Sequence, residues 1–283
     1  MNFKILILSL FLFGCTQNAN HPLSEFKLTE KISADFQSPE SVIYDKEREM
    51  IYVSNGIWYA KNGQGFISKL SKTGEILNLH WLKNLNRPTG MAIGENQLFS
   101  ADIDKLRVFD LDSGEQTKTY PAPEENPMLN DVAISEKGEV YVTSSGKHGV
   151  YHLKNDSLKL VFQHDSLLKY ANGIVIQKDK LIVAGWDISE ISLTDYSIKK
   201  RTINPPVTDF DGLAIDEKGI LFCTQVSEEG KLWQINSDGK AELVFKYPKY
   251  LADFDLTKIG DGRFLIASGN HEEKTYSVLS ISK

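Results

Sequence analysis

The chain repeats itself six times. The segments Pro39-Glu40-Ser41-Val42-Ile43-Tyr44, Pro88-Thr89-Gly90-Met91-Ala92-Ile93, Leu129-Asn130-Asp131-Val132-Ala133-Ile134, Ala171-Asn172-Gly173-Ile174-Val175-Ile176, Phe210-Asp211-Gly212-Leu213-Ala214-Ile215 and Leu251-Ala252-Asp253-Phe254-Asp255-Leu256 can be laid over one another. Taking the second residue of each as an anchor gives positions 40, 89, 130, 172, 211 and 252, at intervals of 49, 41, 42, 39 and 41 residues. A period of about 40 to 50 residues suits propeller blades of four strands each.

Each repeat has the same internal order. Large apolar residues stand two and four positions after the anchor, as Val132 and Ile134 or Leu213 and Ile215 do, which is the period-two signature of a strand. A polar turn such as Glu136-Lys137-Gly138 follows, then second strands such as Val140-Tyr141-Val142, then third strands such as Gly149-Val150-Tyr151-His152-Leu153. A helical solenoid would need apolar residues at helical spacing, and the repeats lack it. The sequence therefore predicts an all-β fold, a six-bladed β-propeller over residues 26–283. The last repeat ends near Tyr276–Ser282 with little room for a fourth strand. Phe26–Ile32 is expected to supply the outer strand of that blade, because a closed ring leaves no open sheet edge.

The N-terminal residues are read as standing outside this fold. Met1–Lys4 carries one positive charge, and Ile5–Phe13 is an apolar run broken only by Ser9, too short to span a bilayer and suited to a signal-peptide core. Leu12-Phe13-Gly14-Cys15 resembles the lipobox of bacterial lipoproteins. The resemblance implies a signal peptide over 1–14, a lipidated Cys15 and a polar tether over 15–25; the alternative is an ordinary secretory signal with an incidental cysteine. Export to a bacterial membrane follows, periplasmic or at the cell surface, with the lipid as the only membrane contact. The outer membrane is favoured, since Thr16 is not the Asp that resembles an inner-membrane retention signal. Cys223 is then the only other thiol, so no internal disulfide forms. Its apolar run Ile220-Leu221-Phe222-Cys223-Thr224 points to burial as a small hydrophobe. A net charge of −6 without any basic run argues against nucleic acid. The chain is read as a monomer.

Innermost strands of a propeller all start at one mouth of the central channel. Glu40, Thr89, Asn130, Asn172, Asp211 and Ala252 should converge there, with Asp131 and Asp253 one step along. Carboxylate and amide oxygens in a ring suit a hard divalent cation; a polar channel filled with water is the alternative. Loops between second and third strands should rim this mouth. They carry Trp58, Tyr59, Asp102, Asp104, His148, Trp186, Asp187, Glu228, Glu229 and His271. The aromatic residues offer stacking surfaces for a flat or sugar-like ligand, and His148 and His271 are candidates for proton transfer.

Glu40 after Pro39, the Asn130-Asp131 pair, Asn172-Gly173 and Asp211-Gly212, each opening a different repeat in this order, resemble the gluconolactonase, senescence-marker-protein and luciferin-regenerating-enzyme family. The resemblance covers the chain from about Phe26 to Lys283. It implies one divalent metal in the channel mouth, held by Glu40, Asn172 and Asp211, with Asn130 beside substrate or metal. Calcium is the leading choice of ion, with magnesium, manganese or zinc as alternatives. The arginine that lactonases of this family carry two residues before that asparagine is Met128 here. The implied activity is hydrolysis of a small lactone or ester. For that chemistry Asp211 is the leading general base among the ring carboxylates, with Asp131 and Asp253 as alternatives, and Asn130, Asp131, His148 and Trp186 are read as facing the substrate. The rival reading is a non-catalytic propeller that binds a small molecule, glycan or protein around a structural ion. No G-x-S-x-G, H-E-x-x-H, phosphate-cradling glycine loop or C-x-x-C is present, which sets those other chemistries aside.

Overall fold

A computed structural model describes residues 26–57, 60–225, 230–246, 252–260, 262–270 and 273–283; for 252–254 only the backbone is described. The signal peptide, Cys15, the tether, Trp58, Tyr59, Glu228, Glu229 and His271 lie outside the described residues.

Twenty-four strands form six antiparallel four-stranded sheets, and no helix occurs among the described residues. Strand β1 (Lys27–Ser33) precedes the first blade, which comprises β2 (Pro39–Asp45), β3 (Met50–Asn55), β4 (Gly65–Ser71) and β5 (Ile76–Leu85). Blade two is β6 (Pro88–Gly94), β7 (Gln97–Asp102), β8 (Lys105–Asp110) and β9 (Gln116–Pro121). Blade three is β10 (Leu129–Ile134), β11 (Val140–Ser144), β12 (Gly149–Leu153) and β13 (Leu158–Gln163). The fourth holds β14 (Ile174–Gln177), β15 (Lys180–Val183), β16 (Ser189–Ser192) and β17 (Ile198–Lys200). The fifth holds β18 (Phe210–Ile215), β19 (Leu221–Gln225), β20 (Lys231–Ile235) and β21 (Ala241–Lys246). The sixth runs β22 (Ala252–Ile259), β23 (Arg263–Asn270) and β24 (Thr275–Ser282), and β1 completes it by pairing antiparallel with β24. The closing strand expected from the sequence is therefore present.

The core lies between blades rather than within them. Each of the six blade–blade interfaces buries its own apolar cluster. Between blades five and six the cluster includes Phe26 against Phe222 and Phe264; between blades six and one it includes Ile32 and Phe36. Cys223 is fully buried in the interface between blades four and five, and burial pushes its thiol far above the ordinary range. It is inert there.

Five of the six innermost strands carry a bulge at their start. One extra residue is inserted between Pro39 and Val42, Pro88 and Met91, Leu129 and Val132, Phe210 and Leu213, and Asp253 and Leu256. A bulge breaks the strict alternation and re-aims the side chains within it. In the sixth blade this register sets Phe254 and Asp255 beside the positions of Asp211 and Gly212, two residues beyond the anchor that the sequence pattern placed at Ala252. Two carboxylates spaced by one residue made both alignments plausible, and only the pairing of Leu256 with Ile266 separates them.

Candidate functional site

The bulges face one another across the channel mouth. Glu40, Gly90, Asn130, Asp131, Asn172, Gly173, Asp211 and Asp255 line a single small cavity there. Glycines make the ring this tight. A Cβ on Gly90 would lie 2.5 Å from the Cα of Asp131, and one on Gly212 would lie 2.6 Å from the Cα of Asp255.

Hydrogen bonds stitch neighbouring blades around this ring. Thr89 Oγ1 donates to the Asn130 carbonyl at 2.6 Å, and Gly173 N to the Asp211 carbonyl at 2.9 Å. Asp131 accepts from Val132 N at 2.7 Å and, across the blade boundary, from Ile174 N at 2.9 Å. Asp255 accepts from Leu256 N at 2.8 Å and from Ser41 Oγ at 2.6 Å, which ties the last blade to the first. These two carboxylates are therefore committed through both oxygens to the scaffold.

The remaining four side chains have oxygen to spare. Asn130 spends its amide N–H on Ser145 Oγ at 3.3 Å, and Asn172 hydrogen-bonds the Asp211 carboxylate, so both amides keep a carbonyl oxygen to offer. Glu40 gives one oxygen, Oε2, to the Arg87 guanidinium at 2.5 Å, with both side chains buried. Among the described residues no three His, Cys, Asp or Glu side chains are grouped to hold a metal ion by themselves. Any cation bound here must draw part of its shell from the amides.

The electrostatics favour such an ion. Burial, followed by the charges of Asp255 and Asp211, raises the Asp131 carboxyl well above its usual range. Burial, then Glu40 and Asp255, does the same to Asp211. Asp255 is pushed up to about 7, chiefly by burial. Buried carboxylates that repel one another are relieved by a cation, and a donor set made only of oxygen fits a hard divalent one. The residues present therefore fit the metal that the sequence resemblance implies.

These shifts make a testable pH dependence. Each carboxyl binds its proton more tightly in the folded chain than in the unfolded one, where Asp titrates near ~4. Their contribution to stability is thus full below that value and is lost as pH rises through the folded value. For Asp255 the window runs from the unfolded 3.8 to about 7. With chelator present, melting at pH 8 is expected roughly 5 °C or more below melting at pH 5. A melting temperature that is flat or rising across this interval would contradict the electrostatic description.

His148 and Trp186 do not line the cavity. They sit on the rim between blades three and four, on the loops that the sequence assigned to this mouth. His148 Nδ1 accepts from Tyr170 N at 3.0 Å, and Lys169 Nζ lies 4.6 Å from the Trp186 ring centre and 5.3 Å from that of Tyr170. Asp104 and Asp187 pair with Lys61 and Lys200, while Asp102, wholly buried, takes the backbone N–H of Asn86 and of Arg87 and the guanidinium of Arg107. His152 stacks on Tyr141 on a third strand, as a residue that packs locally. Sequence reasoning missed Asp255 and Arg87. The position of Arg87 directly before Pro88, the first residue of an anchor segment, was the available signal for the latter.

The family model described as an SMP-30/gluconolactonase/LRE-like region matches residues 39–252. The chain belongs to that family. Comparison with curated proteins finds no match. Among solved structures, a gluconolactonase from Xanthomonas campestris aligns with a TM-score of 0.69 at 14% identity, over 91% of this chain and 96% of that one. Regucalcin from Agrobacterium tumefaciens, described as a calcium-binding protein, aligns at 0.66 and 14% identity, over 90% and 95%. A virginiamycin B lyase from Staphylococcus aureus aligns at 0.63 and 14% identity, over 92% and 100%. At such identity these likenesses establish the shared fold. An SMP-30/gluconolactonase/LRE-like chain with this oxygen-lined mouth has its candidate site where its inner strands begin.

Proposed function

We propose that the protein is a divalent-metal-dependent hydrolase that opens a small lactone or ester at the mouth of the propeller. The observation that carries this reading is the convergence of Glu40, Asn130, Asn172 and Asp211 on one buried, oxygen-lined cavity. The Xanthomonas neighbour named as a gluconolactonase and the Agrobacterium neighbour named as calcium-binding support the substrate class and the ion. Fold alone does not select a reaction, since a lyase shares it.

Glu40, Asn172 and Asp211 would hold the ion, and calcium fits the hard-oxygen set best. A divalent cation there supplies Lewis acidity for the substrate carbonyl and its developing oxyanion. The chain does the rest. Asp211 takes the proton from the attacking water, a role suited to a carboxyl whose proton affinity is raised by burial and by the charges of Glu40 and Asp255. Asn172, bonded to that carboxylate, keeps it in one orientation. Asn130 presents its amide carbonyl to a substrate hydroxyl. Asp131 and Asp255 hold the blades in register around them. Lys169, Tyr170 and Trp186 offer the rim on which the rest of the substrate rests.

A second reading, a non-catalytic binding propeller with a structural ion, is favoured by Met128 standing where lactonases carry their arginine. Cys15 and the apolar run before it support export and lipid anchoring, with the propeller displayed from the outer membrane. The test is a panel of aldono-lactones, acyl-lactones and aryl esters, assayed after EDTA and with calcium, magnesium, manganese or zinc restored. Turnover is expected to vanish with chelator and return with one ion. No turnover on any member, together with a melting temperature that still rises with metal, would favour the binding propeller.

A further inference from the structure

One charged group at the mouth is unexplained by the hydrolase reading. Arg87 lies in the connection between β5 and β6, and its guanidinium is locked rather than swinging. Its Nη1 donates to the Gly56 carbonyl at 2.6 Å and its Nη2 to Glu40 Oε2 at 2.5 Å. Its backbone N–H is held by Asp102 at 2.8 Å, and Asp102 is itself gripped by Arg107 at 2.6 Å. Gly56 packs directly on it, since a Cβ there would lie 2.8 Å from the Arg87 Cα. Arg87 and Glu40 are 8% and 6% exposed, so little water screens the pair. The field of Arg87 also reaches Asp211, whose carboxyl it pulls down against the larger upward push of burial.

A guanidinium fixed in this way does two things to a cation site. It occupies one oxygen of Glu40, which restricts that side chain to a single ligating atom, whereas calcium often takes both oxygens of a carboxylate. It also places a buried positive charge beside the ion, where low dielectric makes repulsion strong. We propose that Arg87 is a positioning residue that sets metal affinity, holding Glu40 to one-oxygen ligation and opposing the cation with its own charge. The proposal rests on the divalent-cation reading of the cavity. An ion held by fewer carboxylate oxygens keeps more of its coordination positions for substrate and water. The same pair also keeps the ring of carboxylates from pushing apart when no ion is bound.

Calcium affinity is measured by titration calorimetry on wild type, R87M and R87K, with melting curves taken in chelator and in calcium. R87M is expected to bind calcium at least ~tenfold tighter than wild type. It should melt lower than wild type in chelator, because Glu40 is left buried without its partner, and show a larger rise on adding calcium. R87K keeps the charge and is expected to stay within about threefold of wild type. A purely structural arginine would give the same lower melt for R87M but the opposite change in binding: weaker calcium binding than wild type. If R87M does not fold in chelator, R87Q, which keeps an N–H donor for the Gly56 carbonyl, carries the same expectation. Wild type that binds calcium alongside a neutral variant that binds it no tighter overturns the role of Arg87 alone. Wild type that binds no divalent ion overturns the cation reading and this proposal together.

Discussion

A chain that starts at Ala34 instead of Phe26 is expected to lose most of the stability of the propeller. Strand β1 pairs with β24 along six residue positions and seats Ile32 in the interface between blades six and one. Phe26, just before the strand, fills the interface between blades five and six. Burying a Phe and an Ile contributes roughly 1.5–3 kcal/mol each. Their loss alone therefore takes about 3–6 kcal/mol from a domain whose total stability is of order 5–15 kcal/mol. Removal also leaves β24 as an open edge, with Val278, Leu279 and Ile281 now buried in the intact ring, and such edges recruit other chains. The shortened protein is expected to melt at least ~10 °C lower and to aggregate on heating. A melting curve matching that of the 26–283 domain would show that the ring closes without β1.

The propeller was legible because a repeat fold writes its period into the sequence. An apolar residue two positions after each anchor must face the neighbouring blade, so Val42, Met91, Val132, Ile174 and Leu213 recur at blade spacing and are all buried. The closing strand was legible for a topological reason: a sixth blade short of one strand has to find it elsewhere. What alternation cannot encode is a bulge. In β22 the bulge coincides with two carboxylates spaced by one residue, so the repeat pattern set the anchor two residues early, and Asp255 went unseen for that reason. Arg87 was missed because it belongs to a short connection, where no periodicity exists to single it out. Its role comes from Gly56 and Glu40 of the preceding blade, far away in sequence. The rim behaved similarly. Topology puts His148 and Trp186 at this mouth, but local partners such as the Tyr170 N–H and Lys169 decide where the rings lie.

Asp211→Asn separates the electrostatic role of this residue from its structural one. Asn is nearly isosteric, so packing at the mouth should survive, while the negative charge facing Glu40 and Asp255 disappears. In chelator at pH 8 the variant is expected to melt higher than wild type, because a buried carboxylate crowded by two others costs stability when ionised. With calcium the order should reverse. Wild type gains a ligand-linked rise that grows with ion concentration, and the variant, short of its anionic ligand, gains little. Turnover of whichever lactone or ester the wild type hydrolyses should fall by at least ~1,000-fold, the upper range of what loss of a general base costs. The two readouts answer different questions. Loss of turnover with an intact calcium-induced rise would make Asp211 a base that is not a ligand. Loss of the rise with turnover intact would place the ion away from the reaction, as a structural staple. Both losses together, with a higher melt in chelator, are what one carboxylate serving as ligand and base requires.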